Sequence, residues 1–387
     1  MKKIKVMHFI HGMSPGGAEI LVKDYLKYLD KKRFDLVLLC LYHFRSSPYE
    51  KIVEGMGIRV IYVEDYLRLK SSNHFAKIIN YIKRYLAVRS VIRSEKPDVI
   101  HGHLCVNTYI KFSRPSKDTF IVHTVHSEPK CLWRKSRSLQ QIFRRQDFKG
   151  AKYLVKKYGM RFIVLHDRMR KEINKMFSVS DSIVLNNGVD ISRFNKTESI
   201  EEIRKKLGIR RDAFVIGHIG RFHKEKNHSF LIDIFKEIKK TEERAFLLMV
   251  GDGGEKATIK KYLDENGFKD DYLILSNRND IPDILKAMNA FVFPSLFEGL
   301  GVALVEAQVA KIPCFVSDGI PRHAIISNQT KQLTLRLGPQ EWAKEILGFK
   351  KPKNIIVDDS EWDIRKITKQ LEKIYLEGIE KKSNEKR

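Results

Sequence analysis

Short apolar runs rich in β-branched and aromatic residues alternate with longer amphipathic stretches along this sequence, and no other feature restricts the fold as strongly. A strand followed by a helix and then by another strand builds a parallel sheet with helices on its faces. The alternation therefore predicts an α/β fold. Since the pattern runs through the chain twice, we expect two such sheets in tandem.

The first series predicts strands at Lys5–Ile10, Asp35–Leu41, Arg59–Val63, Val99–His101, Phe120–Val125 and Arg161–Leu165, with helices at Ala18–Leu29 and Phe75–Ser94. The second predicts strands at Phe214–Ile219, Arg244–Val250, Tyr272–Leu275, Ala290–Phe293 and Cys314–Ser317. The turn-rich segment 186–190 separates the two series. We expect domains at 1–185 and 186–360, then a helix over Trp362–Tyr375 and a frayed polar tail, within 361–387.

Length and composition exclude several classes of protein. At 387 residues the chain is long enough for two or three domains, and 43% hydrophobic residues argue against disorder. The cysteines, Cys40, Cys105, Cys131 and Cys314, are far apart, which argues against a disulfide framework or a zinc knuckle. No run of about 18 apolar residues predicts a membrane-spanning helix. We expect a reducing, cytoplasmic location.

The positive charge is concentrated in the first half. Residues 1–183 hold 37 Lys/Arg and 16 Asp/Glu, a balance of +21 out of the total of +26. Between Lys130 and Lys175, 15 basic residues meet three acidic ones and alternate with aromatic residues, among them Trp133. This mixture suits an anionic membrane surface or a nucleic-acid backbone, although charged, solvated helix faces have a similar composition.

Two loops that follow predicted strands suit anion binding. Gly16 and Gly17 open a predicted helix, where backbone amides favour an anion, although a plain tight turn has the same sequence. In the second half, Arg221 and Lys226 are close enough in one loop to converge on a diphosphate. A solvated basic turn is the alternative for that loop.

The segment 293–307 carries the most information. It predicts a strand, a glycine-bearing turn and a helix, with Glu298 and Glu306 eight positions apart. If the helix begins near Gly301, its free amides can bind phosphate, and eight helical residues span about 12 Å. One acid can then hold a sugar while the other reaches a ribose. An acid in a turn and an exposed helical glutamate would give the same pattern.

Together these elements resemble the retaining glycosyltransferases of family 4, which have the GT-B fold. The resemblance covers nearly the whole chain and rests on the following elements in order: Gly16-Gly17-Ala18-Glu19, Asp98 with His101 and His103, Thr124 with His126, Asn187 with Asp190, Gly220-Arg221 with Lys226, and Glu298 with Glu306. The second half is similar to enzymes of capsule, exopolysaccharide and lipopolysaccharide synthesis. The fold implied is two Rossmann-like sheets facing each other across a cleft, with the C-terminal helix crossing back to the first domain.

The resemblance also implies a role for each matching residue. Arg221 and Lys226 neutralise the diphosphate leaving group, Glu306 binds the nucleotide ribose, and Glu298 and His126 contact the donor sugar. The amides of Gly299, Leu300 and Gly301 bind sugar or phosphate, and Gly16 with Gly17 forms a loop near the phosphates and the acceptor. Lys311 and Asn289 replace a usual Gly and Asp, and Gly319-Ile320-Pro321-Arg322 departs from the family pattern, which leaves acceptor contacts there open.

The orientation of two histidines is not decided by the sequence. His101 and His103 share one face if their strand continues past Gly102, but that glycine can also end the strand. Histidines with structural hydrogen bonds are the simpler interpretation for both.

The expected activity is metal-independent transfer of a sugar from a nucleotide-sugar, a UDP-sugar, to a hydroxyl of a growing, lipid-linked glycan, with retention of configuration. No cofactor or metal is expected. The acceptor implies a peripheral location at the inner face of the cytoplasmic membrane, reached through the basic first half. Two alternatives are a nucleotide-sugar epimerase of related fold and a basic nucleic-acid-binding protein. The second accounts for the charge but not for the paired glutamates.

Overall fold

The structure of the protein is a computed structural model. It describes residues 2–14, 16–45, 47–66, 74–127, 129, 139–195 and 198–385, without the side chains of 74–78, 81 and 139–142. Cys131, Trp133 and Pro15 lie outside the described residues.

The chain divides into two compact units. The first comprises Met1–Gly188 together with Ile364–Arg387, and the second comprises Val189–Asp363. The final helix therefore belongs to the first unit, as the resemblance implies. The roles predicted for the two domains, acceptor binding and donor binding, stay predictions.

The first unit is built on a seven-stranded parallel sheet in the order β3-β2-β1-β4-β5-β6-β7. Its strands are β1 Ile4–Ile10, β2 Phe34–Cys40, β3 Arg59–Tyr62, β4 Val99–His103, β5 Phe120–Thr124, β6 Arg161–Val164 and β7 Ile183–Val184. Its helices are α1 Gly17–Tyr28, α2 Pro48–Glu54, α3 His74–Glu95, α4 Asn107–Ser113, α5 Leu139–Tyr158, α6 Asp167–Phe177 and the last helix of the chain, α13 Ile364–Asn384.

The second unit has a six-stranded parallel sheet in the order β10-β9-β8-β11-β12-β13. Its strands are β8 Phe214–Ile219, β9 Ala245–Val250, β10 Tyr272–Leu275, β11 Ala290–Phe293, β12 Cys314–Ser317 and β13 Thr330–Leu333. Its helices are α7 Ile200–Leu207, α8 His228–Lys239, α9 Lys256–Glu265, α10 Ile281–Lys286, α11 Val302–Val309 and α12 Gly338–Leu347.

Burial on both faces explains why the central strands read as continuous apolar runs. β11 and β12 are buried throughout, and β4 and β5 are buried at every position. Helices cover both faces of the second sheet, because its buried residues form two separate hydrophobic clusters, one including Trp342 and the other including Met288. The predicted α/β class and its doubling are confirmed.

Two expectations about individual elements need correction. The predicted polar tail is wrong, because α13 continues to Asn384. The apolar residues of α13 recur at helical spacing, so Ile374 and Tyr375 lie in the hydrophobic core of the first unit and Ile379 packs against that core. The strand predicted at Val99–His101 passes through Gly102 and ends at His103. Within the described residues, no helix has the length and apolarity needed to cross a bilayer.

Candidate functional site

The candidate site of the second unit lies at the carboxyl ends of β8 and β11. These strands are neighbours in the sheet, and the chain leaves them in opposite directions, toward β9 and toward β12. Such a reversal of strand order opens a crevice in which α/β proteins bind ligands. The loops 220–227 and 294–301 follow these two strands, so the sheet brings together motifs that are about 70 residues apart.

A direct ion pair joins the two loops. Nζ of Lys226 donates a hydrogen bond to Oε1 of Glu298 at 2.6 Å, and the two side chains are only 17% and 12% exposed. The same ammonium lies 4.8 Å from the centroid of the Phe293 ring. Because both charges are largely removed from water, each depends on the other for compensation. The resemblance implies separate roles for Lys226 and Glu298, and their contact was not predicted.

Backbone hydrogen bonds fix the loops around this pair. The amide of Leu296 donates to the carbonyl of Glu225 at 2.8 Å, and Nδ2 of Asn227 donates to the carbonyl of Pro294 at 3.2 Å. The amide of Glu298 donates to the carbonyl of Gly319, which follows β12, at 3.3 Å. Glu298 is therefore held by loops from three adjacent strands, which makes its position a property of the sheet.

The loop after β8 leaves little room for a side chain at its first position. A Cβ on Gly220 would lie 3.0 Å from Nε2 of His218 and 3.3 Å from Cδ and Cε of Lys226, so the lysine stem packs over the bare backbone. Arg221 follows and is exposed, and within the described residues it forms no ion pair. Lys226 is thus paired inside the site while Arg221 faces solvent. The predicted convergence of both cations on a diphosphate stays a prediction.

The helix α11 begins immediately after Gly301, close to the predicted position. Gly301 precedes it with φ 76° and ψ 47°, a left-handed conformation that glycine adopts without a steric cost. Gly301 has no side chain to cap the first turn of α11, so among the described residues that turn keeps amides without a capping side chain from its N-cap. Glu306 lies further along the helix and is 7% exposed. The proposed contacts of Gly299, Leu300 and Gly301 with a ligand are untested.

In the first unit, the loop after β1 also leads into a helix. Gly16 is the residue before α1, and as a glycine it has no side chain to cap the first amides of that helix. A Cβ on Gly17 would meet nothing within 4 Å, so this position is open. Ser14 Oγ donates to Oε1 of Glu19 at 2.9 Å, which holds the acid of the first turn. The geometry permits an anion at Gly16 and Gly17, and their predicted role stays a prediction.

His126 is joined to a histidine that the sequence left undecided. Its Nε2 lies 3.0 Å from Nδ1 of His103, and burial lowers the pKa of His126 to about 4. Since β4 continues through Gly102, His101 and His103 share one face of the sheet, and each forms structural hydrogen bonds. The open alternative is thereby decided: the two side chains are aligned and both are hydrogen-bonded.

His8 belongs to the same cluster, and sequence reasoning missed it. It pairs in register with His101 on the neighbouring strand, and its Nδ1 lies 3.1 Å from Nε2 of His103. The available signal was a histidine inside the predicted strand Lys5–Ile10 and another at the end of the predicted strand Val99–His101. Ring nitrogens of these three buried residues lie within 4.8 Å of one another, so they are a group that could hold a metal ion. The expectation of no metal stays a prediction.

The second unit's arrangement is suited to an anionic ligand that also carries hydroxyl groups. A lysine that is already desolvated and a helix start with free amides can stabilise a diphosphate electrostatically. Carboxylates at Glu298 and Glu306 can accept hydrogen bonds from hydroxyl groups. A ligand with a diphosphate between two sugars combines both requirements.

Two parallel sheets of this strand order give the GT-B fold, which solved structures similar to this chain share. The chain belongs to the glycosyltransferases of family 4 and group 1. Residues 15–193 match the family described as Glycosyltransferase Family 4, and residues 199–354 match Glycosyl transferases group 1.

Similar proteins include enzymes and a solved structure. The UDP-Gal:alpha-D-GlcNAc-diphosphoundecaprenol alpha-1,3-galactosyltransferase of Escherichia coli is 28% identical over 84% of this chain and 82% of its own. The capsular polysaccharide biosynthesis glycosyltransferase CapH of Staphylococcus aureus is 25% identical over 96% of this chain and 99% of its own. The crystal structure of Anabaena HepE in complex with UDP and glucose superposes with a TM-score of 0.72 at 18% identity, over 96% of this chain and 99% of that one.

Proposed function

We propose that this protein transfers a sugar from a UDP-sugar to a hydroxyl of a growing, lipid-linked cell-surface glycan, with retention of the anomeric configuration. The observation that carries the proposal is the contact between Lys226 and Glu298 where the second sheet reverses, beside the glycine-led start of α11. This contact puts a cation and a hydroxyl-binding carboxylate next to a set of free amides.

The ion pair gives Lys226 a partner to exchange when the donor binds. In the free protein Glu298 compensates the lysine. A bound diphosphate takes over the ammonium, and the released carboxylate then accepts hydrogen bonds from hydroxyls of the donor sugar. In this exchange the desolvated cation always faces an anion, first the carboxylate and then the diphosphate.

Charge on the departing diphosphate is stabilised by Lys226, by Arg221 and by the first amides of α11. These groups supply positive charge without a metal ion, and metal independence is part of the proposal. Retention is inferred from the resemblance to family 4, in which the acceptor approaches on the face that the leaving group departs from. The leaving phosphate helps to deprotonate the acceptor, and no side chain is assigned as a nucleophile.

The names of similar proteins support the choice of donor and acceptor. The Escherichia coli relative uses a UDP-sugar and a diphosphoundecaprenol-linked acceptor by its name, and the Staphylococcus aureus relative acts in capsular polysaccharide biosynthesis. HepE was crystallised with UDP and glucose. A lipid-linked diphosphate acceptor at the cytoplasmic face of the membrane accords with the charge of the first half.

The first unit has a surface suited to such a membrane. Helix α4 packs against α3 and α5, and this helical layer exposes large apolar side chains at Ile82, Leu86, Phe112, Phe143 and Tyr153. Lys111 lies 5.4 Å from the ring centroid of Phe112 and 5.1 Å from that of Tyr153. Exposed aromatic groups interspersed with lysines suit an anionic interface. Trp133, predicted to take part, lies outside the described residues.

The test of transfer uses a panel of UDP-sugars and a synthetic diphospholipid-linked sugar. The product's linkage is read by NMR, and release of UDP is measured with and without acceptor. We expect acceptor-dependent release and an α-linked product from an α-linked donor. Donor conversion without acceptor would favour an epimerase. An inverted linkage would overturn retention, and tight salt-sensitive binding of nucleic acid unchanged in Glu298→Ala would overturn the enzyme itself.

The test of the membrane surface is sedimentation with vesicles of phosphatidylglycerol or of phosphatidylcholine alone. We expect binding to the anionic vesicles only, reduced in Phe112→Ser. The matched control is Ile356→Ser, since Ile356 is an exposed apolar residue of the second unit. Equal binding to both vesicle types would remove the membrane surface from the proposal and leave sugar transfer unaffected.

A further inference from the structure

A row of hydrogen-bonded imidazoles fills the carboxyl end of the first sheet. His8 on β1 and His101 and His103 on β4 are completely buried. Nδ1 of His8 lies 3.1 Å from Nε2 of His103, and Nδ1 of His103 lies 3.0 Å from Nε2 of His126. His103 therefore lies between His8 and His126 and uses one ring nitrogen for each of them.

The other end of the row reaches the final helix. The hydroxyl of Tyr375 lies 2.6 Å from Nδ1 of His101 and 3.3 Å from Nε2 of His8. Nε2 of His101 lies 2.7 Å from Oγ1 of Thr124. Every ring nitrogen of His8, His101 and His103 therefore has a partner. At the last position, Nδ1 of His126 is buried and has no hydrogen-bond partner among the described residues.

Burial keeps all four rings neutral. It lowers the pKa of His8 to about 3 and of His126 to about 4, and it lowers those of His101 and His103 well below the ordinary value. A neutral imidazole has one N–H and one bare nitrogen, so it donates through one atom and accepts through the other. The tautomer of each ring is then set by the bond at its other nitrogen.

Only two arrangements give every bond of the row one donor and one acceptor and also use the hydroxyl proton of Tyr375 within the row. If His8 donates through Nδ1, His103 accepts at Nε2 and donates through Nδ1, and His126 accepts at Nε2 and carries its proton on Nδ1. Tyr375 then donates to His8 and accepts from Nδ1 of His101. Reversing every bond puts all four protons on Nε2. The four histidines consequently share one tautomer in either arrangement.

We propose that Tyr375, His101, His8 and His103 are positioning residues that act as one unit to set whether His126 presents a hydrogen-bond donor or an acceptor at Nδ1. This inference rests on the proposed function, in which His126 contacts the donor sugar. The hydrogen-bonded row determines both the orientation of the His126 ring and which of its nitrogens carries the proton. A partner at Nδ1 of His126 selects one arrangement for all four rings, as far as the final helix.

The test reads tautomers directly, by long-range ¹H–¹⁵N correlation NMR of the histidine-labelled, otherwise unmodified protein without ligand. His218 is an internal standard, because its Nδ1 lies 2.9 Å from the carbonyl of Val292, which can only accept. We expect the same tautomer population at His8, His101, His103 and His126. Unequal populations within the row would overturn the inference. So would a zinc ion that the purified protein retains and His103→Gln loses.

A pair of tyrosine variants separates positioning from packing. Tyr375→Phe removes the hydroxyl between His8 and His101, and we expect the tautomer population of His126 to shift although no bond of its own is changed. Tyr25→Phe is the control, since Tyr25 is 1% exposed, its ring lies 6.2 Å from that of His8, and no hydrogen bond between its hydroxyl and the row exists in the described chain. A population at His126 that is unchanged in Tyr375→Phe would contradict the coupling.

Kinetics provide the second readout. In Tyr375→Phe we expect kcat to fall about fivefold, the effect of one ordinary hydrogen bond, with the KM of the UDP-sugar changed by less than about twofold. Tyr25→Phe should retain wild-type kcat. If the protein transfers no sugar, the NMR experiment still decides whether the row is coupled. If sugar is transferred but the tautomers are independent, only the inference fails.

Discussion

The two units use the same sheet for different chemistry. The strand order of the second sheet repeats that of the first six strands of the first, β3-β2-β1-β4-β5-β6. At the strand reversal the first sheet carries His8 and His103, buried and neutral, whereas the second is followed by the ion pair of Lys226 and Glu298. One edge is thus specialised for hydrogen bonds and the other for charge. A shared topology fixes where a site lies and leaves its electrostatics to a few side chains.

The largest expected difference between the units is their response to acid. A histidine whose pKa is lowered on folding contributes stability above its unfolded pKa of about 6.5, and this is lost as the pH falls toward the folded value. Below pH 6.5, each such residue lowers the free energy of unfolding by about 1.4 kcal/mol per pH unit. Among the described residues the first unit holds six and the second holds two; the six are His8, His11, His101, His103, His123 and His126, and the two are His218 and His228. The first unit should therefore lose several kcal/mol more by pH 5.5.

Trp133→Phe makes this comparison measurable, because the remaining tryptophans, Trp342 and Trp362, are buried in the second unit. Urea unfolding followed by tryptophan fluorescence then reports the second unit, while far-ultraviolet circular dichroism reports both. We expect the two transitions to separate as the pH falls from 7.5 to 5.5. Transitions that shift together would mean that the units unfold as one and would contradict the prediction.

Removing a charge from the second unit should abolish nucleotide binding without unfolding the protein. UDP at 100 times its dissociation constant stabilises a protein by about 2.7 kcal/mol. Arg221→Ala and Glu306→Ala should each lose most of this, measured as the UDP-induced shift in Tm. The exposed Arg336→Ala is the control and should keep the full shift. A normal shift in Arg221→Ala would remove that residue from the donor site.

Breaking the ion pair should lower the free energy of unfolding by less than the two preceding effects. The size of the loss should depend on how deeply the pair is buried. Lys226→Met and Glu298→Gln should each destabilise the free protein by about 2 kcal/mol, because the remaining charge is left uncompensated, and the double variant should recover part of that. The control cycle uses Lys344 and Glu341, whose side chains are 72% and 48% exposed. Its coupling should stay below about 0.5 kcal/mol. Equal couplings would show that the site does not strengthen its ion pair.

The smallest effect concerns the start of α11. Gly301→Ala should cost about 1 kcal/mol, since φ is 76° while the nearest atom to the added Cβ is 3.7 Å away. Gly208→Ala is the matched control, with φ 68° and open space at the end of α7. Both should lose similar stability in urea unfolding, but only Gly301→Ala should weaken UDP binding. Equal UDP affinity in the two variants would exclude the helix start from the site.

The sequence predicts the central strands of the second sheet well, because strands buried on both faces are mostly apolar and end at turn residues. β8, β10, β11 and β12 match the predicted ranges. β7 and β13 escape the same reasoning. The first is two residues long, and the second, Thr-Lys-Gln-Leu, pairs on one side only and stays polar. Edge strands depend on a neighbour's backbone, which leaves little pattern in their own residues.

The site shows the same limit. Motif spacing located the glycine-led start of α11 and put Lys226 and Glu298 in loops after strands. It did not predict their contact, because that contact depends on β8 and β11 being neighbours across 72 residues. The histidine row is still less local, since Tyr375 is 274 residues from His101. Partners this remote are determined by tertiary packing alone.

The return of α13 to the first unit has a consequence for how the chain matures on the ribosome. Residues of the second unit are contiguous, so that unit can form as soon as they emerge. Synthesis of the first unit begins earlier but is completed last. Ile364 and Tyr375, which belong to its hydrophobic core, are synthesised only after the whole second unit, Val189–Asp363. Until α13 has been synthesised, the apolar residues of the first unit that pack against this helix stay exposed. The half of the enzyme made first is therefore the half that depends longest on protection from aggregation.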